Sequence, residues 1–375
     1  MEKPIYVGES SFESMVEENA YLVDKTHYIK SIFKDGNSVS LITRPRRFGK
    51  SLTQSMLKNF LELDYKTPGD TTKPQRLFSG FEILKDEAFC QENLGQWPVI
   101  FLSLKKVEGD DYATARRRLV STVVDCAQSL DFLLESPKVK RSTKSNLTNL
   151  LSLKALPAEE QEDLVSDSLQ MLVNALYEAY GRRVVVLVDE YDVPLNKART
   201  FGYYTDMRNL VRQMLGNALK DNPRLKKAVV TGCLRIAKES IFTGFNNFGC
   251  HSIGSTTLSG VCGFTPEEAH TVLQDFGLLA FEDGTREHYD GYRFGRTEIY
   301  CPWDLLSFCR DKTANGAATD SADKTTYPHY WVNTSSNDIV DEFVRYADKS
   351  HLRILKALMS GKTVAAPVIE ELSFS

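Results

Sequence analysis

Two hydrophobic periods alternate along this chain. Short aliphatic runs predict buried strands: SVSLIT at 38–43, WPVIFLSL near 97–104, VVVLVDEYD at 184–192 and KAVVTG at 227–232. The run at 184–188 has five apolar residues without alternation, as in a central parallel strand covered on both faces. Between these runs lie stretches with helical spacing. In LTQSMLKNFLEL, Leu52, Met56, Leu57, Phe60 and Leu61 share one face. DYATARRRLVSTVVDCAQSL aligns Leu119, Val123 and Cys126. A further helix near 159–180 ends where Gly181 can form a left-handed cap, and YYTDMRNLVRQMLGNAL supplies another. Strands alternating with helices predict an α/β fold with a mainly parallel sheet.

Elsewhere the pattern weakens. Residues 64–75 are turn-rich and predict a loop. The Ser- and Lys-rich stretch at 136–148 has little apolar content, so 136–158 is expected to be an exposed insertion. After residue 260 the character changes. Thr265-Pro266-Glu267-Glu268 is a capping box with proline at the first helical position, opening a helix to about Phe276. Residues 311–326 predict a polar loop, whereas DIVDEFVRYA and LRILKALM predict helices. The expected organisation is a core over 1–260 and a helical lid or appendage over 261–375, with no strong strand signal in the latter.

Composition narrows the function classes. With 375 residues, 42% of them hydrophobic and 26% charged, the chain can bury a sizeable core without staples. A net charge of −4 gives no global pull toward nucleic acid or an anionic membrane, although a local basic patch stays open. No apolar run is long enough to predict a membrane span, and the N-terminus lacks the basic-then-apolar signature of a secretory signal. The seven cysteines are scattered, with no Cys-x-x-Cys pair, which argues against zinc or a disulfide framework and for reduced thiols in a cytoplasm.

Candidate chemistry sits at strand ends. Arg44-Pro45-Arg46-Arg47-Phe48-Gly49-Lys50-Ser51 follows a strand and opens a helix, with Leu52 next. Such a loop points backbone N–H groups at a phosphate, and the helix N-terminus adds positive potential. Gly49 would allow close approach, Lys50 would reach the β- and γ-phosphates, and Ser51 would ligate Mg²⁺. Arg44 stands where the first glycine of G-x-x-x-x-G-K-[ST] belongs. The plainer alternative is a basic turn before an amphipathic helix. Arg46 and Arg47 could be solvated, or could contact phosphate or nucleic acid.

The strand at 184–189 delivers Asp189, a second candidate Mg²⁺ ligand, and Glu190, a candidate general base. Asp189 stands 139 positions after Lys50, and the WPVIFLSL strand intervenes. That order resembles the ATPases that insert a strand between the two motifs. Thr231, at the end of the next strand, is a candidate sensor of the γ-phosphate and the attacking water, or an ordinary β-branched strand residue. Arg235 and Lys238 are candidates for neutralising transition-state charge, or solvated cations.

These residues carry a family resemblance. VDKT at 23–26, RPRRFGKS at 44–51, DEYD at 189–192, TGCLRIAKESIF from 231, GFTPEEA at 263–269 and YDGYRFG at 289–295 resemble the bacterial AAA-ATPase-like family. Its members often carry a C-terminal PD-(D/E)XK nuclease-like domain. The resemblance implies a P-loop NTPase of AAA/STAND-like type: a parallel sheet flanked by helices, with a C-terminal helical lid. The arginine in place of the first glycine is that family's own pattern. Asp24 and Lys25 are implied near the nucleotide, and Asp192 near the metal site. No Asp…Glu-x-Lys cluster follows residue 340, so the nuclease-like domain is not expected within this chain.

The expected function is Mg²⁺-dependent binding and hydrolysis of ATP by a conformational switch, with control of a nuclease or defence against mobile DNA as the output the resemblance implies. The alternative is a binding module that presents a surface to a protein or DNA partner without hydrolysis. Homo-oligomerisation stays open, since an arginine finger in trans would require it.

Overall fold

The computed structural model describes residues 3–234, 241–242, 244–314, 327–330 and 348–364. Five parallel strands form the central sheet: β1 (Val39–Thr43), β2 (Val99–Ser103), β3 (Val184–Asp189), β4 (Leu225–Gly232) and β5 (Phe248–His251). Their spatial order is β2-β3-β4-β1-β5. β4 therefore separates β1 from β3, pairing Ile42 with Thr231 on one side and Val188 with Val230 on the other. The inserted strand is thus β4; the WPVIFLSL strand, β2, intervenes in sequence but lies at the edge of the sheet.

The helices before β2 are α1 (Phe12–Glu17), α2 (His27–Phe33), α3 (Lys50–Leu61), α4 (Thr72–Leu77) and α5 (Glu87–Asn93). Between β2 and β4 run α6 (Tyr112–Gln128), α7 (Arg141–Leu151), α8 (Ala158–Tyr180), α9 (Val193–Thr200) and α10 (Tyr204–Leu219). Alternate side chains of the buried strands serve two cores. Leu41, Val186, Val188 and Val230 face α6, α8 and α10, whereas Ile42, Val185, Leu187 and Val229 face α3 and its neighbours. A sheet covered on both faces explains the unbroken apolar run of β3.

Two sequence expectations change. Residues 141–151 are the helix α7, packed on α8 through buried Leu147 and Leu150, so the stretch is not a loose insertion. Its apolar residues are few but fall on one face, and composition averaged over the window hid them. The 64–75 loop likewise gives way to α4 from Thr72.

Beyond residue 260 lie α11 (Pro266–Asp275), α12 (Glu282–Tyr289), the antiparallel strands β6 (Asp290–Phe294) and β7 (Thr297–Tyr300), α13 (Pro302–Ala314) and α14 (Lys349–Met359). The capping box forms as expected, with Thr265 and Glu268 each bonded to the other's backbone N–H. The β6–β7 hairpin corrects the purely helical reading of this part. Its strands are short and carry Asp, Arg and Glu, which masked the alternation. The expected helix DIVDEFVRYA and most of the polar loop at 311–326 lie outside the described residues.

A buried polar knot pins the start of β1 to both neighbours. Asp35 accepts from the Lys227 ammonium of β4, from the Ser40 hydroxyl of β1 and from His251 of β5, the last at 3.1 Å. Burial alone would raise the Asp35 carboxyl. Its hydrogen bonds from His251, Lys227, Ser40 and the Asn37 amide outweigh that and hold it well below the ordinary carboxylate range. A carboxyl depressed by folding adds stability above its unfolded pKa, and that stability is lost as pH falls toward the folded value. Asp35→Asn should therefore cost about 3–5 kcal/mol at pH 7, the usual cost of breaking a buried pair. Urea denaturation at pH 7 and below pH 4 checks this, because the wild-type advantage must shrink on acidification.

Candidate functional site

The loop between β1 and α3 sets the geometry. Gly49 caps the helix with φ of 89°, a left-handed turn natural to glycine, and Lys50 begins the helix. Arg47 also sits at positive φ, 70°. The Lys50 ammonium is buried. It donates to the Pro45 carbonyl at 3.1 Å, meets Cys233 Sγ at 3.3 Å and lies 3.8 Å from Glu190 Oε1. Burial alone would lower its pKa. The field of Cys233, Glu190 and Asp192 outweighs that and holds it above the ordinary lysine value.

Asp189, at the end of β3, is gripped between two hydroxyls. Ser51 Oγ donates to its Oδ2 at 2.7 Å, and Thr231 Oγ1 donates to its Oδ1 at 2.6 Å. Gln54, one turn along α3, braces this pair. Its Nε2 donates to Thr231 Oγ1 and to the carbonyls of Val188 and Val229 at 3.1–3.2 Å. The structure thus brings Lys50, Ser51, Asp189, Glu190 and Thr231 to one sheet edge. Thr231 is buried and turned onto Asp189, so it orients that carboxylate. Glu190 follows at φ 56° and faces the cavity. Burial pushes its carboxyl up, with Lys50 opposing and the neighbouring aspartates reinforcing the rise.

Arg44 is placed differently from the expectation for a phosphate contact. Its guanidinium is fully buried and donates to the carbonyls of Thr43, His251 and Leu258 at 2.6–2.8 Å. It also lies 5.0 Å from the Phe294 ring. The side chain ties the loop to β5 and the hairpin. Pro45 contributes its carbonyl to Lys50. Arg46 is exposed on the cavity rim, and the Arg47 guanidinium stacks 3.5 Å from the centre of the Trp303 ring. Phe48 is buried against Tyr292 and Phe294, and its carbonyl accepts from Gly263 N–H at 2.9 Å.

Lys25 reaches the cavity wall, donating to Gly260 O at 2.7 Å and pairing with Glu268 at 2.5 Å. Asp24 instead serves local structure, accepting from Thr26 and from Glu82 N–H. Arg235 and Lys238 lie outside the described residues.

A cavity of about 530 Å³ opens over Gly49–Thr53, within the size range of small-ligand sites. Its lining includes the charged side chains Lys50, Arg46, Glu190 and Lys105 and the aromatic rings Phe264 and Trp303. Sequence reasoning missed Lys105 and Gln54. Lys105 follows the end of β2, a position the strand reading could have flagged. Gln54 carries no local signal, since its role exists only across long sequence separations.

An inserted-strand parallel sheet with a glycine-capped Lys-Ser helix, and an aspartate facing that serine, defines a P-loop ATPase-like protein. The chain belongs to the AAA-ATPase-like family, described as predicted AAA-ATPase, whose model matches residues 6–242. That membership supports nucleotide binding. The chain is 24% identical over 310 residues to a protein of Azotobacter chroococcum mcd 1 described as an uncharacterized protein in the vnfD 5′ region. The match covers 81% of this chain and 51% of that protein, so the chain spans about half the length of its relative. It is also similar to the Walker-type ATPase PABY2304 of Pyrococcus abyssi, at 15% identity and a TM-score of 0.38, over 96% of this chain and 76% of the other.

Phe48 tests the division between packing and ligand contact in the loop. Phe48→Ala should cost about 3–5 kcal/mol of stability with no nucleotide present, as expected for a fully buried aromatic. Urea denaturation of the nucleotide-free protein measures it.

Proposed function

We propose that this protein hydrolyses ATP with Mg²⁺ and acts as a nucleotide-driven switch. The observation that carries the reading is the Ser51–Asp189 contact at 2.7 Å, beside the buried Lys50 ammonium. A hydroxyl and a carboxylate on adjoining elements are hard oxygen donors suited to Mg²⁺. The cavity fits a nucleotide in size, and its lining offers both cations and aromatic rings.

In this reading Ser51 and Asp189 hold the metal, which supplies charge neutralisation across the phosphates when bound. Lys50 and the first-turn amides of α3 bind phosphate oxygens. Glu190 accepts a proton from the attacking water, and its raised pKa suits a general base. Thr231 and Gln54 keep Asp189 in its rotamer. The loop's own contacts favour a switch. Phe48 bonds Gly263 and Arg47 stacks on Trp303, so a shift of the loop is felt in the 261–314 part. The output is transmitted to a nuclease-like domain or a separate protein partner, as the family resemblance suggests.

Phosphate release from ATP should require Mg²⁺, fall below detection in Lys50→Ala, and drop at least ~100-fold in Glu190→Gln with ATP binding retained. Retained release in Glu190→Gln removes it as the base. Mg²⁺-dependent binding without release in the wild type favours the non-hydrolysing module.

A further inference from the structure

Asp192 closes DEYD, yet neither of its oxygens serves the candidate metal site. The residue is buried and lies off the cavity wall. Its carboxylate is taken up by backbone amides of the segment that leaves β4. Cys233 N–H donates to Oδ1 at 3.2 Å and Oδ2 at 3.1 Å, and Leu234 N–H donates to Oδ2 at 3.0 Å. Asn196 Nδ2 adds a third donor at 3.2 Å. Tyr191 grips the same segment twice. Its N–H donates to Thr231 O at 3.0 Å, and its hydroxyl donates to Leu234 O at 2.9 Å.

We propose that Tyr191 and Asp192 form a latch that positions residues 232–234 against Lys50. Both are positioning residues, acting through Cys233. The thiol held by this latch lies 3.3 Å from the Lys50 ammonium and 3.9 Å from Glu190 Oε2. The left-handed turn at Glu190 makes the arrangement possible, because it folds Tyr191 and Asp192 back over the end of β4. Gly232 makes it close. A Cβ there would sit 2.6 Å from Asp192 Oδ1 and 2.7 Å from the Tyr191 ring, so no larger residue fits without opening the latch. The latch therefore joins the turn that carries Glu190 to the strand that carries Thr231, and fixes one wall around Lys50. The part of this inference that concerns turnover rests on the hydrolytic reading; the geometry does not.

The test compares the wild type with Asp192→Asn, Tyr191→Phe and Gly232→Ala. Amide hydrogen exchange of Cys233 and Leu234, without nucleotide, reads the latch directly. Both amides should be protected in the wild type and exchange at least ~10-fold faster in Asp192→Asn. With ATP, kcat should fall roughly 10- to 100-fold in Asp192→Asn, and less in Tyr191→Phe, while KM stays within about twofold, the signature of a misplaced group and not of lost binding. Asp192→Asn and Gly232→Ala disrupt one contact, so their combined loss should be less than the product of the single losses. Unchanged exchange in Asp192→Asn overturns the latch. So does a fall in melting temperature with kcat unchanged. If Asp192→Asn does not fold, Tyr191→Phe decides by the same kcat and KM comparison. If the wild type releases no phosphate, the hydrolytic reading falls, and the exchange rates alone decide the latch.

Discussion

The burial of the Lys50 ammonium governs the arrangement of the site. A lone cation is costly to remove from water, so its surroundings must compensate it. Here compensation comes from three directions: the Pro45 carbonyl within its own loop, Glu190 from the turn after β3, and Cys233 from the segment after β4. None of these is a close carboxylate contact, since Glu190 stands 3.8 Å away. The ammonium is held charged without being tied up in a tight ion pair. That suits the phosphate-binding role proposed for it. Three elements far apart in sequence must converge for this to hold, and the β2-β3-β4-β1-β5 order brings their ends together.

The second constraint is the loop itself. A glycine at its first position would leave a flexible joint. Arg44 instead spends its guanidinium on three carbonyls and lies against Phe294. Charge-assisted bonds to several backbone oxygens are among the stronger restraints a side chain can supply. The loop is thus anchored on β5 and on the hairpin before any ligand arrives. The same replacement that departs from the usual phosphate-loop pattern couples this loop to the C-terminal part of the chain. Phe48 extends the coupling to Tyr292 of the hairpin, and Arg47 extends it to Trp303 of α13.

What the sequence disclosed follows from the range of the interactions involved. Strands β1 to β4, the long helices and the capping box at Thr265 were legible because their signals are local and periodic. Lys50 and Ser51 were legible because the motif fixes them to the start of a helix, and Asp189 and Glu190 because it fixes them to a strand end. The helix α7 was lost to a polar average, although Leu147 and Leu150 fall on one face. The β6–β7 hairpin was lost because its short strands carry charges. The direction of the Arg44 side chain could not be inferred, since it depends on carbonyls more than two hundred positions away. The same holds for Thr231. Its place at a strand end fitted a sensor of the attacking water, but the partner of its hydroxyl is decided by the register between β3 and β4.

That register also explains why a single threonine and a single glycine can follow each other at the end of β4. Thr231 must carry a hydroxyl to reach Asp189 on one side. Gly232 must carry nothing, so that Tyr191 and Asp192 can close over it on the other. The strand end is read from two directions at once, by Asp189 and by the turn that follows it. A side chain larger than hydrogen at 232, or one lacking a donor at 231, would satisfy the strand's own propensity equally well. The pair is therefore set by what it touches across β3, and only weakly by the needs of the strand itself.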